Sequence, residues 1–457
     1  MQRTQKKVFT IILTLLMAIV FTACGSGKTE SSSAPSTDQA SAEPKASATA
    51  TSEPAPTEAP KNESVTLSMI ISKDWYDEPI KWVISEYEKK SGNKIDVQFT
   101  PGGQAFNDAI TTKAAVNEMP DIAFMYTTAS FLGQMKAEEL LVDLSNEPFM
   151  KKISPSIIEG GVWLKSKDKF YEIPVGGMNG AGVIYNKEIF AANGIEIPKT
   201  YEEFLAVCEK LKQAGITPIF EGLKDGWPPL LFNFIGFTNE ITKKGDIAKI
   251  NDGTFDFSKS AGAKNFLNRH HELFAKGYFN KDTASTTYDM EVAAFSQGKA
   301  AMVINVDNLI PGALSKFPEA AKFIGMFPLP WDNDPIIPID LSIGMAIAKG
   351  KNQATSLDFL NFFTSDETLN GYYGKVKAIP PYIGVTAELN PGTSDLVPFI
   401  EAGKTLPFYA NLITPGVGVG FDLTGVILGA KSVDKALLEA QAQYLKSLKD
   451  NKIAGLK

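Results

Sequence analysis

Few of the residues that ordinarily carry chemistry occur in this chain, and those few are badly placed for it. The only histidines, His270 and His271, are adjacent, and His270 continues the helical spacing of Ala263, Phe266 and Leu267, which reads as packing. There is no G-x-S-x-G elbow and no H-E-x-x-H motif, and Gly-Lys-Thr at 27–29 and 403–405 lacks the leading glycine of a phosphate-binding loop. Two cysteines occur, and Cys208 falls on the apolar stripe Tyr201, Phe204, Leu205, Leu211; with Cys24 near the N-terminus, neither an internal disulfide nor a thiolate metal cluster can form in the remainder. Two carboxylates at the right separation could still cleave a glycoside, so a surface glycoside hydrolase stays as the enzymatic alternative. What the chain does offer is binding chemistry: Trp75, Tyr76, Asp77, Gln104, Tyr126, Thr127 and Thr128 place aromatic plates and short polar groups in loops that follow apolar runs.

The elements that must position these residues follow from periodicity. Val65–Ile71 is an apolar run of strand length, and Ile80, Val83, Ile84 and Tyr87 have the i, i+3, i+4, i+7 spacing of a helix opening at Pro79 and stopping at Gly92. A strand over Ile95–Phe99, a helix over Phe106–Asn117 and a strand over Asp121–Met125 complete a β-α-β-α-β order, which implies a parallel sheet covered by helices. In such sheets ligands sit beyond the carboxyl ends of the strands, where these loop residues fall. Further strands are expected at Gly182–Tyr185, Pro218–Phe220, Ala301–Val306, Phe323–Phe327 and Ile343–Ile347. Helices are expected at Tyr201–Ala214, Pro228–Phe237, Leu357–Phe363 and Glu367–Tyr373, with a last one through Leu437, Ala440, Tyr444 and Leu448. Residues 65–457 exceed one typical core, so two associated α/β lobes are expected.

The N-terminus carries Arg3, Lys6 and Lys7 ahead of the uncharged apolar residues 8–23, an export signal that ends at Ala23-Cys24. Phe21-Thr22-Ala23-Cys24 resembles the lipobox of bacterial lipoproteins, departing from it at Phe21, where Leu is commonest; the resemblance implies acylation of Cys24. Residues 25–64 contain no aliphatic residue larger than Ala and no aromatic one, and are expected to form a disordered tether. About 40 such residues would reach between roughly 35 Å as a coil and about 120 Å if extended. The chain has 45 Lys plus Arg against 52 Asp plus Glu, and removing the three basic residues of the signal takes the formal charge from −7 to about −10. That balance excludes nucleic acid as a natural ligand, and Arg3 and Arg269, the only arginines, leave few forks for a phosphate or carboxylate. A neutral, hydroxyl-rich solute fits better.

Several segments, in order, resemble the extracellular solute-binding proteins that include the maltose-binding proteins. They are Met119-Pro120-Asp121-Ile122; Phe170-Tyr-Glu-Ile-Pro-Val175 running into Gly182-Val-Ile-Tyr-Asn-Lys187; Gly194-Ile-Glu-Ile-Pro-Lys-Thr-Tyr-Glu-Glu-Phe204; Phe295-Ser-Gln-Gly-Lys-Ala-Ala-Met302; and Gly344-Met-Ala-Ile347 before the helix Leu357–Phe363. The resemblance implies a two-lobed α/β fold with the ligand cleft between the lobes, closure by hinge rotation, and a lipid-anchored binding subunit of an ABC importer for a sugar or oligosaccharide. Binding of a polyamine or peptide is the alternative within the same fold. The lobes are expected at 65–174 plus 338–385 and at 175–337 plus 386–457, after a signal at 1–23 and an anchored linker at 24–64. The expected partners are the solute, the permease subunits and, through the lipid, the outer face of a Gram-positive cytoplasmic membrane; the protein is expected to be a monomer without cofactor or metal.

A sugar presents flat CH faces and many hydroxyls, so its site needs rings to stack on and planar polar groups to receive hydrogen bonds. Trp75 and Trp227 stand where the family places stacking residues, whereas Trp82 and Trp163 read as packing and Trp331 as either. Asn305, Asp307 and Asn308 fall in a stretch that resembles the family's M-x-I-N-G-x-W, with Asn308 in place of the tryptophan, which implies a more polar pocket on that side. Asp340 at a crossing and Phe421-Asp422 after the loop Pro415–Gly420 complete the candidates, Asp422 also being suited to cap a helix.

Overall fold

The computed structural model describes residues 64–450 apart from 103, 128–130, 133–134, 163–167, 342 and 415–416; the expected signal, Cys24, the tether to residue 63, Thr128 and Trp163 lie outside the described residues. Eleven strands form two sheets among the described residues. The first contains β1 (Thr66–Ser72), β2 (Lys94–Thr100), β3 (Ile122–Tyr126), β4 (Glu172–Val175) and β10 (Ile343–Ile347), in the order β2-β1-β3-β10-β4. β1 is parallel to β2, with Thr66 opposite Lys94, and to β3, with Met69 opposite Ile122, as the β-α-β-α-β reading requires. β10 runs antiparallel to both β3 and β4, because it enters this sheet on the chain's return from the second lobe.

The second sheet contains β5 (Asn179–Asn186), β6 (Thr217–Ile219), β7 (Ala300–Val306), β9 (Ile337–Asp340) and β11 (Thr405–Pro407) in the order β11-β9-β5-β7-β6, and β8 (Ile324–Phe327) also pairs with β5. β7 is buried along its whole length, the pattern of a strand covered on both faces. The short strand β11 was not among the expected strands, while β4 and β9 overlap stretches, 173–177 and 338–342, expected as crossings between the lobes.

Helices form where polar caps and apolar stripes coincide. In Glu78–Ser91, Asp77 accepts the Ile80 amide hydrogen at 3.2 Å, Pro79 occupies the first turn, and Gly92 closes the end at φ 75°, a left-handed conformation that favours glycine. Its buried face is Ile80, Val83, Ile84 and Tyr87, which packs with Phe359 of the helix Gln353–Phe363. In Tyr201–Gln213 the Thr200 hydroxyl caps Glu203, and Cys208 lies fully buried on the apolar face, its thiol pushed far up by burial. His270 is likewise a core residue: it stacks on Phe232 at 4.3 Å and takes a hydrogen bond with Asn233, and burial pushes its pKa down to about 3. Trp82 packs over Gly371, and Trp331 is buried with its indole N–H donating to Glu240 at 2.9 Å.

The chain passes between the sheets three times: from β4 to β5 through 176–178, from β9 to β10, and from the helix Asp366–Val376 to the helix Thr393–Glu401. Side chains lock these passages. Tyr373 and Tyr382 donate their hydroxyls to the carbonyls of Gly176 and Pro174, each at 2.7 Å; the Thr127 hydroxyl donates to the Leu341 carbonyl; and Met178 pairs with Ile379. The first and third passages approach so closely that a Cβ on Gly177 would lie 2.2 Å from that of Ala378.

Candidate functional site

The registers decide which strand ends face each other. In the first sheet β1, β2, β3 and β4 all end, and β10 begins, at one edge. In the second, β5 begins at the edge where β7 and β9 end, since both are antiparallel to it, and β6 and β11 end there too, being parallel to β7 and β9. The passage 176–178 joins Val175 of the first edge directly to Asn179 of the second. The two edges therefore flank the same crossing.

Between them lies a cavity of about 380 Å³. The first lobe lines it with Trp75, Tyr126, Val175 and Ile343, the second with Asp307, Asn308, Pro311 and Thr393, and the crossings with Gly176, Gly177, Asn179, Ala378 and Asn390. A larger cavity of about 640 Å³, between Tyr185, Phe327, Pro330 and Phe399, is walled by the second lobe alone. We assign the site to the smaller one, because domain closure can act only on a cavity that both lobes share.

Trp75 ends the short turn Lys73–Trp75 after β1, and its ring meets Phe106 and Tyr126 edge-on, each at 4.8 Å, so its orientation is set by two other aromatics. Asp307 is the only charged residue among those described that line the cavity. Its carboxylate accepts the Gly180 amide hydrogen at 2.8 Å and the Thr393 hydroxyl, tying the end of β7 to the start of β5 and to the helix Thr393–Glu401. Burial outweighs these bonds and pushes its pKa up to about 6. No group of three or more His, Cys, Asp or Glu is placed to hold a metal ion among the described residues.

The other candidates fall in different places. Asp77 caps the helix Glu78–Ser91, and Thr127 is buried beneath the passage at Leu341. Asn305 is buried behind the cavity, donating to Glu291 at 2.9 Å. Asp340 sits at the end of β9 on the shared edge and accepts from Asn411 at 3.2 Å. Trp227 follows β6 at the same edge, exposed and tilted against Tyr288 at 4.6 Å, outside the cavity wall. Phe421 packs on Phe257 and Phe266 in the second lobe; Asp422 caps the turn Leu423–Ile427 and is paired with Lys431 at 2.7 Å, so the capping role is the one the structure displays. Asn179, Pro311, Asn390 and Thr393 line the cavity and were not anticipated. Their only local signal is position beside a glycine or a crossing, and no spacing brings 179, 307 and 390 together.

The profile of the bacterial extracellular solute-binding proteins matches residues 72–369, and the chain belongs to that family. It is 27% identical over 396 residues to an uncharacterised ABC transporter extracellular-binding protein of Pyrococcus horikoshii, covering 80% of this chain and 84% of the relative. It is 22% identical over 321 residues to the multiple sugar-binding protein of Streptococcus mutans, covering 68% and 74%. Among solved structures, the solute-binding protein RafE in complex with raffinose superposes with a TM-score of 0.71 at 19% identity, covering 84% of this chain and all of that one. The two-lobed α/β architecture is thus that of the family's solved members.

Proposed function

We propose that the chain is the lipid-anchored solute receptor of an ABC importer, that it closes on a neutral sugar or oligosaccharide between its lobes, and that it hands this cargo to the permease without chemical change. The observation that carries the reading is the cavity wall. Trp75 and Tyr126 face amide and hydroxyl side chains across a space bounded by both lobes, and one carboxylate is its sole charge among the described residues. Rings supply faces for the CH patches of a pyranose, and Asn179, Asn308, Asn390 and Thr393 supply both donors and acceptors for its hydroxyls. The relatives named for sugars support the same cargo class. The hinge is placed at the three passages between the sheets, and Cys24 is the acylated residue.

The test is a thermal-shift and tryptophan-fluorescence titration of residues 65–457 against mono- and oligosaccharides, with polyamines and peptides as the competing class. At 100 times its dissociation constant a cleft ligand adds roughly 2.7 kcal/mol. A saturable shift with a sugar, lost in Trp75→Ala and without product formation, supports the reading. Response only to a cation or peptide assigns the Asp307 wall to a different cargo, and turnover of a glycoside overturns the receptor role.

A further inference from the structure

Beneath the Trp227–Tyr288 pair the second lobe buries two carboxyl groups that belong to none of the cavity wall. Glu221, just past β6, and Glu291, on the helix Tyr288–Ser296, are 3% and 1% exposed. Glu291 accepts the Asn305 side-chain amide at 2.9 Å with one oxygen and the Gly222 amide hydrogen at 3.2 Å with the other, which sets it against the residue next to Glu221. One oxygen of Glu221 has no hydrogen-bond partner. The remaining ties run through the same loop: the Glu221 amide donates to Asn280, its carbonyl accepts from Thr283, Lys224 pairs with the Thr286 carbonyl, and Asp225 accepts the Tyr288 amide hydrogen at 2.7 Å. Gly222 runs against the Thr286 and Thr287 backbone, where a Cβ would sit 3.1 Å from a carbonyl oxygen.

No lysine or arginine is ion-paired with either carboxyl among the described residues. The groups that face them are Asp225 from the loop and Tyr288 from the helix; Asp289 points outward to Lys316, Lys224, Lys281 and Asp282 are on the surface, and Asn280, Thr283, Thr286 and Asn305 are uncharged. Two buried carboxylates without a counter-charge do not both ionise at neutral pH, since each charge costs lost hydration and repulsion from the other. Glu291, with donors at both oxygens, is built to carry the charge, and Glu221, with a vacant oxygen, to carry the proton.

We propose that Glu221 and Glu291 are positioning residues that share one proton, and that this protonated pair latches the loop carrying Trp227 against Tyr288 at the cleft edge. Removing the proton places two like charges at the root of the loop, so the loop and its indole loosen on alkalinisation. Burial raises both carboxyls, and the Glu291 charge raises Glu221 further, which sets loss of the shared proton above neutrality. The latch deepens the solute-receptor reading by giving that receptor's rim a pH dependence, yet it can be tested with no solute present.

The experiment follows the Trp227 component of fluorescence, taken as wild type minus Trp227→Phe, in the whole chain from pH 6 to pH 10. A shift to longer wavelength and greater acrylamide quenching on raising the pH, absent in Glu221→Gln and Glu291→Gln, supports the latch. A flat Trp227 signal in the wild type, or an unchanged transition in both variants, overturns it. Should both variants fail to fold, the infrared carboxylic-acid band in a Glu172→Gln background decides: loss of the band with the Trp227 midpoint supports the proposal, and no loss across that range overturns it. Either result leaves the sugar assignment to its own titration.

Discussion

Replacing Asp307 by asparagine separates what its charge does from what its hydrogen bonds do. The carboxylate receives Gly180 and the Thr393 hydroxyl, and the amide of an asparagine has one oxygen for those two donors. Leaving one buried donor unpaired costs about 1–3 kcal/mol at every pH. The charge acts differently. Burial raises the folded pKa from 3.8 to about 6, so the folded state binds the proton more tightly than the unfolded chain. Its contribution is fully present below the unfolded value and is lost as pH rises through the folded one. The roughly two-unit window corresponds to about 3 kcal/mol at 1.36 kcal/mol per unit. The Asp307→Asn variant has nothing to titrate at this position, and the other acids titrate alike in both proteins. The stability of the variant relative to wild type should therefore improve by about 3 kcal/mol between pH 4 and pH 7, after starting below it by the hydrogen-bond cost. Urea unfolding midpoints at four or five pH values, with slopes checked for equality, measure this. A gap that stays constant from pH 4 to pH 7 refutes the claim that Asp307 is buried as a strained charge.

Three further outcomes are expected. Gly177→Ala should cost about 1–3 kcal/mol in thermal unfolding, because its Cβ meets that of Ala378 at 2.2 Å; an unchanged melting temperature contradicts the close packing of the passages. Phe232→Ala, at 1% exposure and packed on His270 and Trp331, should cost about 3–5 kcal/mol, whereas Trp227→Ala, at 40% exposure, should cost less than about 1 kcal/mol, a contrast read by paired melts. Glu172 is buried with both oxygens unpartnered, and burial holds its pKa well above the usual range, so wild-type stability falls as pH rises from its unfolded value; Glu172→Gln should gain on wild type in melts taken from pH 5 to pH 8, and parallel curves would count against it.

Helices with a cap at one end and a stripe along one side were legible: Asp77 with Ile80, Val83, Ile84 and Tyr87, or Thr200 with Tyr201, Phe204, Cys208 and Leu211, are local patterns that survive folding unchanged. So were the long buried strands, and the placing of His270 and Cys208 in the core. The short strand β11 was not legible, since a partner supplied from elsewhere in the chain creates it. Trp75 and Tyr126 were expected at the cleft from the rule that ligands gather beyond strand ends, and they line the cavity. Asp77 and Thr127 come from the same reasoning, and Asn305 from the family resemblance; all three lie at the right end of the right strands, but a strand end says nothing about whether a side chain points at the ligand, at a helix cap or at a crossing.

The sequence by itself determined the class of fold, two α/β lobes, because alternating periods and caps are properties of short stretches of chain. Only the tertiary structure assembled the candidate site. Asn179, Asp307, Asn390 and Thr393 lie within one cavity because the chain crosses between the sheets three times, and the strand registers carry residues more than two hundred positions apart to a single edge. Contacts of that range are set by long-range pairing and burial, which no local spacing encodes.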